Sequence, residues 1–336
     1  MAIQKSKTDV AGTVADPLIQ VRNLQKQFEI GQESLIPFRG EQKLLNAVDG
    51  VSFDLARGEI VGLAGQSGCG KSTLGELLVR LQSPTAGEIR YNGEDVTAYD
   101  KAELKRYRQS AQVIFQDPYE ALNPRFTVAQ TVSEPLKIHD MENIDERTKQ
   151  ALVDAGLEPP EDFLGKFPSE LSGGERQRVC IAKAIVLDPD FIVADEPVSM
   201  LDVSVSTQIL KLFKKLQRER EITILYISHD LSTINSLTDR TMIMYLGDIV
   251  EIGETEDVIH EPSHPYTKDL LSAVPGQDIY EEGSITETIP DPTDLPSGCR
   301  YIESCAYARE KCEKIEPELE PVDESKVVAC HYPVSE

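Results

Sequence analysis

Apolar and polar residues alternate along the first quarter of the chain, and this pattern predicts short β-strands. Residues 18–21 and 47–55 alternate, and residues 59–64 form a compact apolar run typical of a buried strand. A glycine-rich loop follows that run at once, and residues 72–81 then predict a helix. This order predicts that the glycine-rich loop connects a buried strand directly to a helix.

The pattern changes further along the chain. Residues 87–96 predict a β-hairpin whose two-residue turn is Asn92-Gly93. Residues 116–169 are predicted to be mostly helical, interrupted by the prolines at 118, 124, 135, 159, 160 and 168.

Helices and strands alternate in the second half. Residues 174–187 and 203–218 predict helices, whereas residues 191–194, 222–227 and 241–251 predict strands. Elements of this length in this order predict an α/β fold with a parallel sheet and crossover helices.

The composition divides the chain into three parts. Residues 1–16 are polar, lack a hydrophobic signal core, and are predicted to be a flexible lead. Residues 17–258 form the predicted main domain, with a helical subdomain at about 116–186. Residues 259–336 are rich in proline, acidic residues and cysteine, with a short predicted helix at 266–273.

The chain is strongly acidic. Lys and Arg total 34 against 58 Asp and Glu, a net charge of −24. Such a surface repels phosphate backbones and anionic lipids, which argues against a nucleic-acid-binding protein. It also resembles the cytoplasmic proteins of halophilic microbes. No run of about 18 apolar residues occurs, so we expect a cytoplasmic protein unless a partner holds it at a membrane.

One loop carries the residues of a phosphate-binding site. The pattern G-x-x-x-x-G-K-[ST] is matched by Gly65, Gln66, Ser67, Gly68, Cys69, Gly70, Lys71 and Ser72, followed by Thr73. The glycines let backbone N–H groups face an anion, Lys71 neutralises the β- and γ-phosphates, and the Ser72 hydroxyl binds Mg²⁺. A chance glycine loop is the alternative, which the strand and helix on either side disfavour.

Two carboxylates follow a predicted strand directly. Asp195 and Glu196 end the apolar run 191–194. In enzymes with this phosphate-binding loop, the first acid holds Mg²⁺ through water, and a second acid can polarise the attacking water. We therefore assign Asp195 to Mg²⁺ and Glu196 to the general base; two merely solvated acids are the alternative.

A second helix start with anion-binding character lies far from the first. It comprises Leu171, Ser172, Gly173, Gly174 and Glu175. One chain rarely needs two such termini for one triphosphate, so this loop is predicted to contact a nucleotide held by a partner subunit. An ordinary helix cap is the alternative. The segment resembles the signature of the ABC ATPase family, with Glu175 where glutamine is commonest.

The resemblance to ABC ATPases covers residues 17–258 and implies further roles. It implies a P-loop fold with a mixed sheet core, an antiparallel β subdomain and a helical subdomain, in a head-to-tail dimer that encloses two ATP molecules. It implies adenine stacking by Phe28, Mg²⁺ contact by Gln116 beside Ser72 and Asp195, a γ-phosphate contact by His229, and a loop facing the partner at Ser199 and Asp202. The implied catalytic residues are Glu196, His229, Lys71 and Gln116.

Three segments resemble the ATPases of oligopeptide and dipeptide importers, in particular the F-type subunit. They are residues 47–55, 115–125 and 264–275. This resemblance implies a second ABC ATPase, two permease subunits and an extracellular solute-binding protein as partners, at the cytoplasmic face of the membrane. Nickel or oligosaccharide import is the alternative within the family. A soluble ABC ATPase acting on nucleic acid or ribosomes is disfavoured, because the chain has one cassette and no basic surface.

Four of the six cysteines lie close together near the C-terminus. Cys299, Cys305 and Cys312 have the spacing C-x5-C-x6-C, and Cys330 follows after a longer gap. Peptide-importer ATPases carry a similar element, associated in some members with an iron–sulfur cluster. The spacing itself leaves three alternatives open, which are a [4Fe–4S] cluster, zinc, and free or redox-linked thiols.

Overall fold

The computed structural model describes residues 16–30, 43–272, 291–323 and 325–334. Of the predicted flexible lead, only Asp16 lies within these residues. The predicted helix at 266–273 is described up to Ser272. Among the described residues, no helix combines the length and apolar character needed to cross a membrane.

The strands of the described residues are mostly short. In chain order they are β1 Pro17–Ile30, β2 Lys43–Ala56, β3 Ile60–Ala64, β4 Ala86–Tyr91, β5 Glu94–Asp95, β6 Ala111–Ile114, β7 Phe191–Asp195, β8 Thr223–Ile227, β9 Arg240–Tyr245, β10 Asp248–Glu254, β11 Glu320–Pro321 and β12 Lys326–Val328.

The helices range from one turn to five. In chain order they are α1 Lys71–Leu78, α2 Lys101–Ser110, α3 Pro118–Ala121, α4 Val128–Ile138, α5 Ile144–Asp154, α6 Glu161–Leu164, α7 Gly173–Ile185, α8 Val203–Arg220, α9 Leu231–Leu237, α10 Thr255–His260, α11 Pro265–Ser272 and α12 Glu310–Lys314.

The described chain divides into two compact units. The first comprises the residues up to Ala56, Val61–Thr97, and those from Ser228 onward; the second comprises Arg57–Ile60 and Ala98–Ile227. The first unit has an antiparallel sheet in the order β2-β1-β4-β5. It also contains parallel strands β3 and β9, with β10 antiparallel to both β9 and β12.

The predicted hairpin is confirmed in this unit. Tyr91 pairs with Glu94 across the turn. Asn92 and Gly93 have φ of 52° and 82°, as a two-residue turn that follows the twist of the strands requires.

The second unit contains the parallel strands β6, β7 and β8 and most of the helices. Phe191 of β7 pairs with Ala111 of β6 on one side and Thr223 of β8 on the other. All five residues of β8 are buried, as expected for a strand covered on both faces. Helices α4, α5 and α7 pack against one another and lie within residues 116–186, where the helical subdomain stays a prediction.

The prediction of one strand at residues 241–251 was wrong. The segment forms two antiparallel strands, β9 and β10, in which Tyr245 pairs with Asp248. Leu246 and Gly247 make the turn with φ of 43° and 83°. Because Leu246 is itself buried, the apolar pattern continues through the turn and conceals it.

The sequence pattern did not predict helix α2, which is polar and buries Tyr107 alone. A signal for it exists at its first residues. The Asp100 side chain accepts the N–H groups of Ala102 and Glu103, and the Glu103 carboxylate accepts the N–H of Asp100. This capping box satisfies donors that the helix cannot satisfy itself.

Candidate active site

The phosphate-binding loop connects β3 to α1, and its shape requires glycine at two positions. Gly68 and Gly70 have φ of 80° and 110°, and residues with a Cβ rarely adopt such positive φ angles. A Cβ on Gly70 would also lie 2.0 Å from the Ala47 carbonyl oxygen. Only glycine therefore allows the loop to pass this close to β2 before α1 begins.

Lys71 is buried at the start of α1, although it is charged. Its ammonium donates to the carbonyl oxygens of Gly65 at 2.7 Å and Gln66 at 2.9 Å. These carbonyls hold the positive charge beside the first N–H groups of α1, which have no acceptor within their own helix. Ser67, Gly68 and Ser72 are exposed around it. The arrangement has the chemistry to receive a polyphosphate.

Two further predicted nucleotide residues lie in the first unit. Cys69 is 5% exposed, and burial raises the pKa of its thiol. Phe28 of β1 is half-buried opposite Leu45 of β2, and the Lys26 ammonium lies 5.0 Å from its ring centroid. The ring therefore already has a cation over one face. Its stacking on adenine stays a prediction.

The ends of two neighbouring parallel strands bring Gln116 and Glu196 together in the second unit. Gln116 follows β6 and Glu196 follows β7, and the Gln116 amide donates to the Glu196 carboxylate at 3.0 Å. Glu196 has a φ of 44°, and its N–H donates to the Ile227 carbonyl at 2.9 Å. Glu196 thus turns out of the strand at Asp195, in a conformation that is uncommon for a residue with a side chain.

Helix α7 begins at the predicted second anion-binding segment. The Glu175 N–H donates to the Ser172 hydroxyl at 3.3 Å, and the Glu175 carboxylate accepts the Ser172 N–H at 2.7 Å and its hydroxyl at 2.8 Å. These hydrogen bonds lower the pKa of Glu175. Leu171 is buried, and Ser172 is exposed. Glutamine can accept the same N–H, which explains why either residue fits at position 175.

The loop from Glu196 to α8 is fixed at both ends. The Ser199 hydroxyl donates to the Glu196 carbonyl at 3.0 Å. Asp202 accepts the N–H groups of Ser204 and Val205 and so caps α8. The hydrogen bond from the Ser204 hydroxyl is the largest cause of the lowered pKa of Asp202.

His229 lies between β8 and α9, where it is exposed. Asp230 next to it caps α9 by accepting the Ser232 N–H at 2.9 Å. His229 and Lys71 belong to the first unit, whereas Gln116, Glu196 and Ser172 belong to the second.

All four C-terminal cysteines line one cavity, together with Tyr301 and His264. Burial raises the pKa of Cys299 and of Cys330 to about 11 in each case. Within the described ranges, no three His, Cys, Asp or Glu side chains are placed to hold a metal ion. All six cysteines lie within the described residues, and each of them is a free thiol.

The sequence pattern did not assign a role to Tyr266, which the structure places at the phosphate-binding loop. The Gln66 N–H donates to the Tyr266 hydroxyl at 2.9 Å. The segment 264–275 had been singled out only for its resemblance to importer ATPases, and the motif itself gave no indication of this contact.

Two family models match the chain, and relatives match it almost throughout. Residues 48–199 match the model described as ABC transporter, and residues 250–312 match the model described as oligopeptide/dipeptide transporter, C-terminal region. A putative oligopeptide transport ATP-binding protein of Bacillus subtilis, YkfD, is 42% identical over 325 residues, covering 94% of this chain and 95% of that protein. The dipeptide transport ATP-binding protein DppF of Escherichia coli is 40% identical, covering 95% of each.

The fold also matches a solved ATPase. The dimeric ATP-binding cassette MJ0796 bound to ADP and Pi superposes with a TM-score of 0.61 at 29% identity, covering 70% of this chain and 98% of that one. Fold and phosphate-binding loop together define an ABC ATPase, with the P-loop α/β fold and an antiparallel β subdomain.

The chain belongs to the ATP-binding proteins of the oligopeptide/dipeptide ABC transporter family. In this family, ATP hydrolysis by the subunit drives the import of peptides.

Proposed function

We propose that this subunit binds ATP with the loop 65–73 and Mg²⁺ with three side chains. Lys71 neutralises the β- and γ-phosphates, and Phe28 stacks on adenine. The proposed Mg²⁺ ligands are Ser72, Gln116 and Asp195, the last through water. Hydroxyl, amide and carboxylate oxygens suit this cation.

We propose Glu196 as the general base that polarises the attacking water. The hydrogen bond from Gln116 to Glu196 is the observation that carries this proposal, because it aims one carboxylate oxygen at a residue expected to contact Mg²⁺. His229 is proposed to contact the γ-phosphate. The proposed catalytic residues are therefore Glu196, His229, Lys71 and Gln116.

The signature segment 171–175 is proposed to serve the nucleotide of a second, different ABC ATPase. Its Ser172 is exposed at a helix N-terminus, where an anion is stabilised. Ser199 and Asp202 would lie toward that partner. The proposed assembly contains two permease subunits and an extracellular solute-binding protein, and this subunit lies at the cytoplasmic face of the membrane. Residues 17–258 are the proposed ATP-binding domain, and residues 259–336 are its C-terminal extension.

A Glu196→Gln change tests the general base. Binding of Mg-ATP to the full chain should be unchanged within about threefold, whereas hydrolysis by the assembled transporter should fall at least about 100-fold. Glu120→Gln is the matched control, since Glu120 is exposed on α3, and it should hydrolyse ATP as the unchanged protein does. Normal turnover in Glu196→Gln would refute the assignment.

We propose that Cys299, Cys305, Cys312 and Cys330 hold an iron–sulfur cluster. Their shared cavity supports this proposal. Zinc held by the same four thiolates, and free thiols, are the alternatives.

Iron, sulfide and zinc content of anaerobically purified protein tests this proposal. Cys299→Ser should lose iron and sulfide. Cys180→Ser, which changes a buried cysteine of α7, should retain both. If the purified unchanged protein contained no iron, the cluster would be excluded. Zinc at one ion per chain would then show that the four cysteines bind zinc instead.

A further inference from the structure

The peptide group between Gly65 and Gln66 is held from both of its ends. On one side, its N–H donates to the Tyr266 hydroxyl at 2.9 Å. On the other, its carbonyl oxygen accepts from the Lys71 ammonium at 2.7 Å. A peptide is planar, so an interaction that orients the N–H also orients the carbonyl. Tyr266 therefore influences where the Lys71 charge rests, without contacting it.

A buried polar chain fixes the start of the helix that carries Tyr266. The Glu251 carboxylate of β10 accepts the N–H groups of Ser263 at 2.8 Å and His264 at 3.0 Å. The Nδ1 atom of His264 in turn accepts the Tyr266 N–H at 3.0 Å. Each group is buried and paired, which makes this connection rigid.

The ring of Tyr266 is also held by two other tyrosines. Its centroid lies 4.5 Å from that of Tyr245 and 5.4 Å from that of Tyr301. The Tyr301 hydroxyl donates to the Asp269 carboxylate. Because Tyr266 is 3% exposed, its hydroxyl has little freedom to leave the Gln66 N–H.

A second connection reaches the same loop from the C-terminal segment. Arg300 donates to the Leu246 carbonyl at 2.6 Å. The next residue, Gly247, donates its N–H to the Cys69 carbonyl at 2.9 Å. The phosphate-binding loop is thus supported at Gln66 and at Cys69 by residues from the region after Ser228, all within the first unit.

We propose that Tyr266 is a positioning residue for ATP binding, which fixes the Gly65–Gln66 peptide and thereby the Lys71 ammonium in the geometry that receives the β- and γ-phosphates. The inference rests on the proposed function of the loop 65–73. The C-terminal region is then part of the nucleotide site through this contact, in addition to any role of its own.

A Tyr266→Phe variant removes the hydroxyl and leaves the ring in its cluster. Loss of one hydrogen bond to the loop should raise the dissociation constant of Mg-ATP, measured by titration of the full chain, roughly 2- to 10-fold. In the assembled transporter, the KM for ATP should rise by a similar factor, while kcat at saturating ATP changes less than about twofold.

Two matched variants separate positioning from a general structural effect. Tyr301→Phe deletes a hydroxyl from the same cluster whose partner is Asp269, and it should leave the dissociation constant unchanged. Tyr307→Phe deletes a hydroxyl from an exposed tyrosine of the same C-terminal region and should also bind normally. The dissociation constant is measured on folded molecules, with binding stoichiometry reporting the folded fraction, so partial unfolding of Tyr266→Phe does not obscure the result.

The outcomes distinguish this inference from the proposed function. If the unchanged chain does not bind Mg-ATP, the proposed function of the loop fails. If it binds and Tyr266→Phe binds equally well, or if Tyr301→Phe weakens binding as much, the positioning role of Tyr266 is overturned while the proposed function stands.

Discussion

His264 shows how burial changes the chemistry of one residue. Burial lowers the pKa of its imidazole to about 3, so the ring is neutral at pH 7 and its Nδ1 can accept the Tyr266 N–H. A neutral acceptor is what this contact requires, because a protonated ring would present a second donor there. The histidine is therefore suited to a structural hydrogen bond and not to proton transfer.

This lowered pKa predicts a loss of stability in acid. Below about pH 6.5 an unfolded chain protonates His264, whereas the folded chain does not until about pH 3. The stabilisation is complete above pH 6.5 and declines as the pH falls, by about 1.4 kcal/mol per pH unit, or roughly 2 kcal/mol at pH 5. Denaturant unfolding at pH 7.5, 6 and 5 measures it.

His264→Asn provides the comparison, since its amide oxygen can still accept the Tyr266 N–H. The pH slope of its free energy of unfolding between pH 6.5 and 5 should be smaller, because unfolding of this variant takes up about one proton fewer. Burial raises the pKa of the nearby Glu251, an effect of opposite sign that is common to both proteins. Equal pH slopes in His264→Asn and in the unchanged chain would contradict the prediction.

Elements were predictable from sequence wherever one face of them is apolar. The pattern indicated α7 and α8 because each buries a regular row of apolar residues. Helix α2 was missed since it buries one residue. The turn between β9 and β10 was missed for the opposite reason, because its Leu246 is buried like the strands around it.

The packing of α7 on α8 predicts a clash at Gly174. A Cβ at this position would lie 2.6 Å from Val205 Cγ1, and the stiff valine side chain cannot turn away freely. Gly174→Ala should lower the free energy of unfolding by about 1–3 kcal/mol, as overpacking does. Chemical denaturation measures this change.

Val205→Ala removes the atom that clashes, so it supplies the control. The double variant Gly174→Ala, Val205→Ala should recover at least half of the stability that Gly174→Ala loses relative to Val205→Ala. Simple additivity of the two changes would show that the close approach of α7 and α8 does not limit position 174.

At the scale of the molecule, Arg300 attaches the C-terminal segment to the first unit. Its side chain is 9% exposed and forms ion pairs with Asp49 at 2.8 Å and Glu316 at 2.9 Å. Arg300→Ala leaves the Asp49 carboxylate and the Leu246 carbonyl without this partner. Because Asp49 and Glu316 are partly exposed, we expect a loss of about 2 kcal/mol, below the value for a fully buried pair.

The matched control for Arg300 is a surface pair. Arg90→Ala removes the exposed pair with Glu88 and should change stability little. Limited proteolysis should cut residues 291–334 faster in Arg300→Ala than in Arg90→Ala. Equal rates of cleavage would show that Arg300 does not attach this segment.

The net charge of −24 makes stability depend on salt. Repulsion among the acidic side chains weakens as salt screens it, over about 10 Å at 0.1 M and about 3 Å at 1 M. The unfolding midpoint should therefore rise from low to molar KCl and rise less in sucrose, which is not ionic. Full stability at low salt would contradict this expectation and the resemblance to halophilic proteins.

The sequence alone determined what is local. The phosphate-binding loop, the two acids at the end of β7 and the signature segment are each continuous stretches, so their residue types and spacing were sufficient to predict the ATPase class. The relatives confirm that class along nearly the whole chain.

Tertiary structure decided what depends on distant residues. Gln66 and Tyr266 are 200 residues apart, and Arg300 reaches Leu246 across 54 residues; no local pattern records either contact. Folding brings these groups together because burying them without partners costs free energy that the hydrogen bonds recover. The support of the phosphate-binding loop by the C-terminal region is therefore a property of the folded chain.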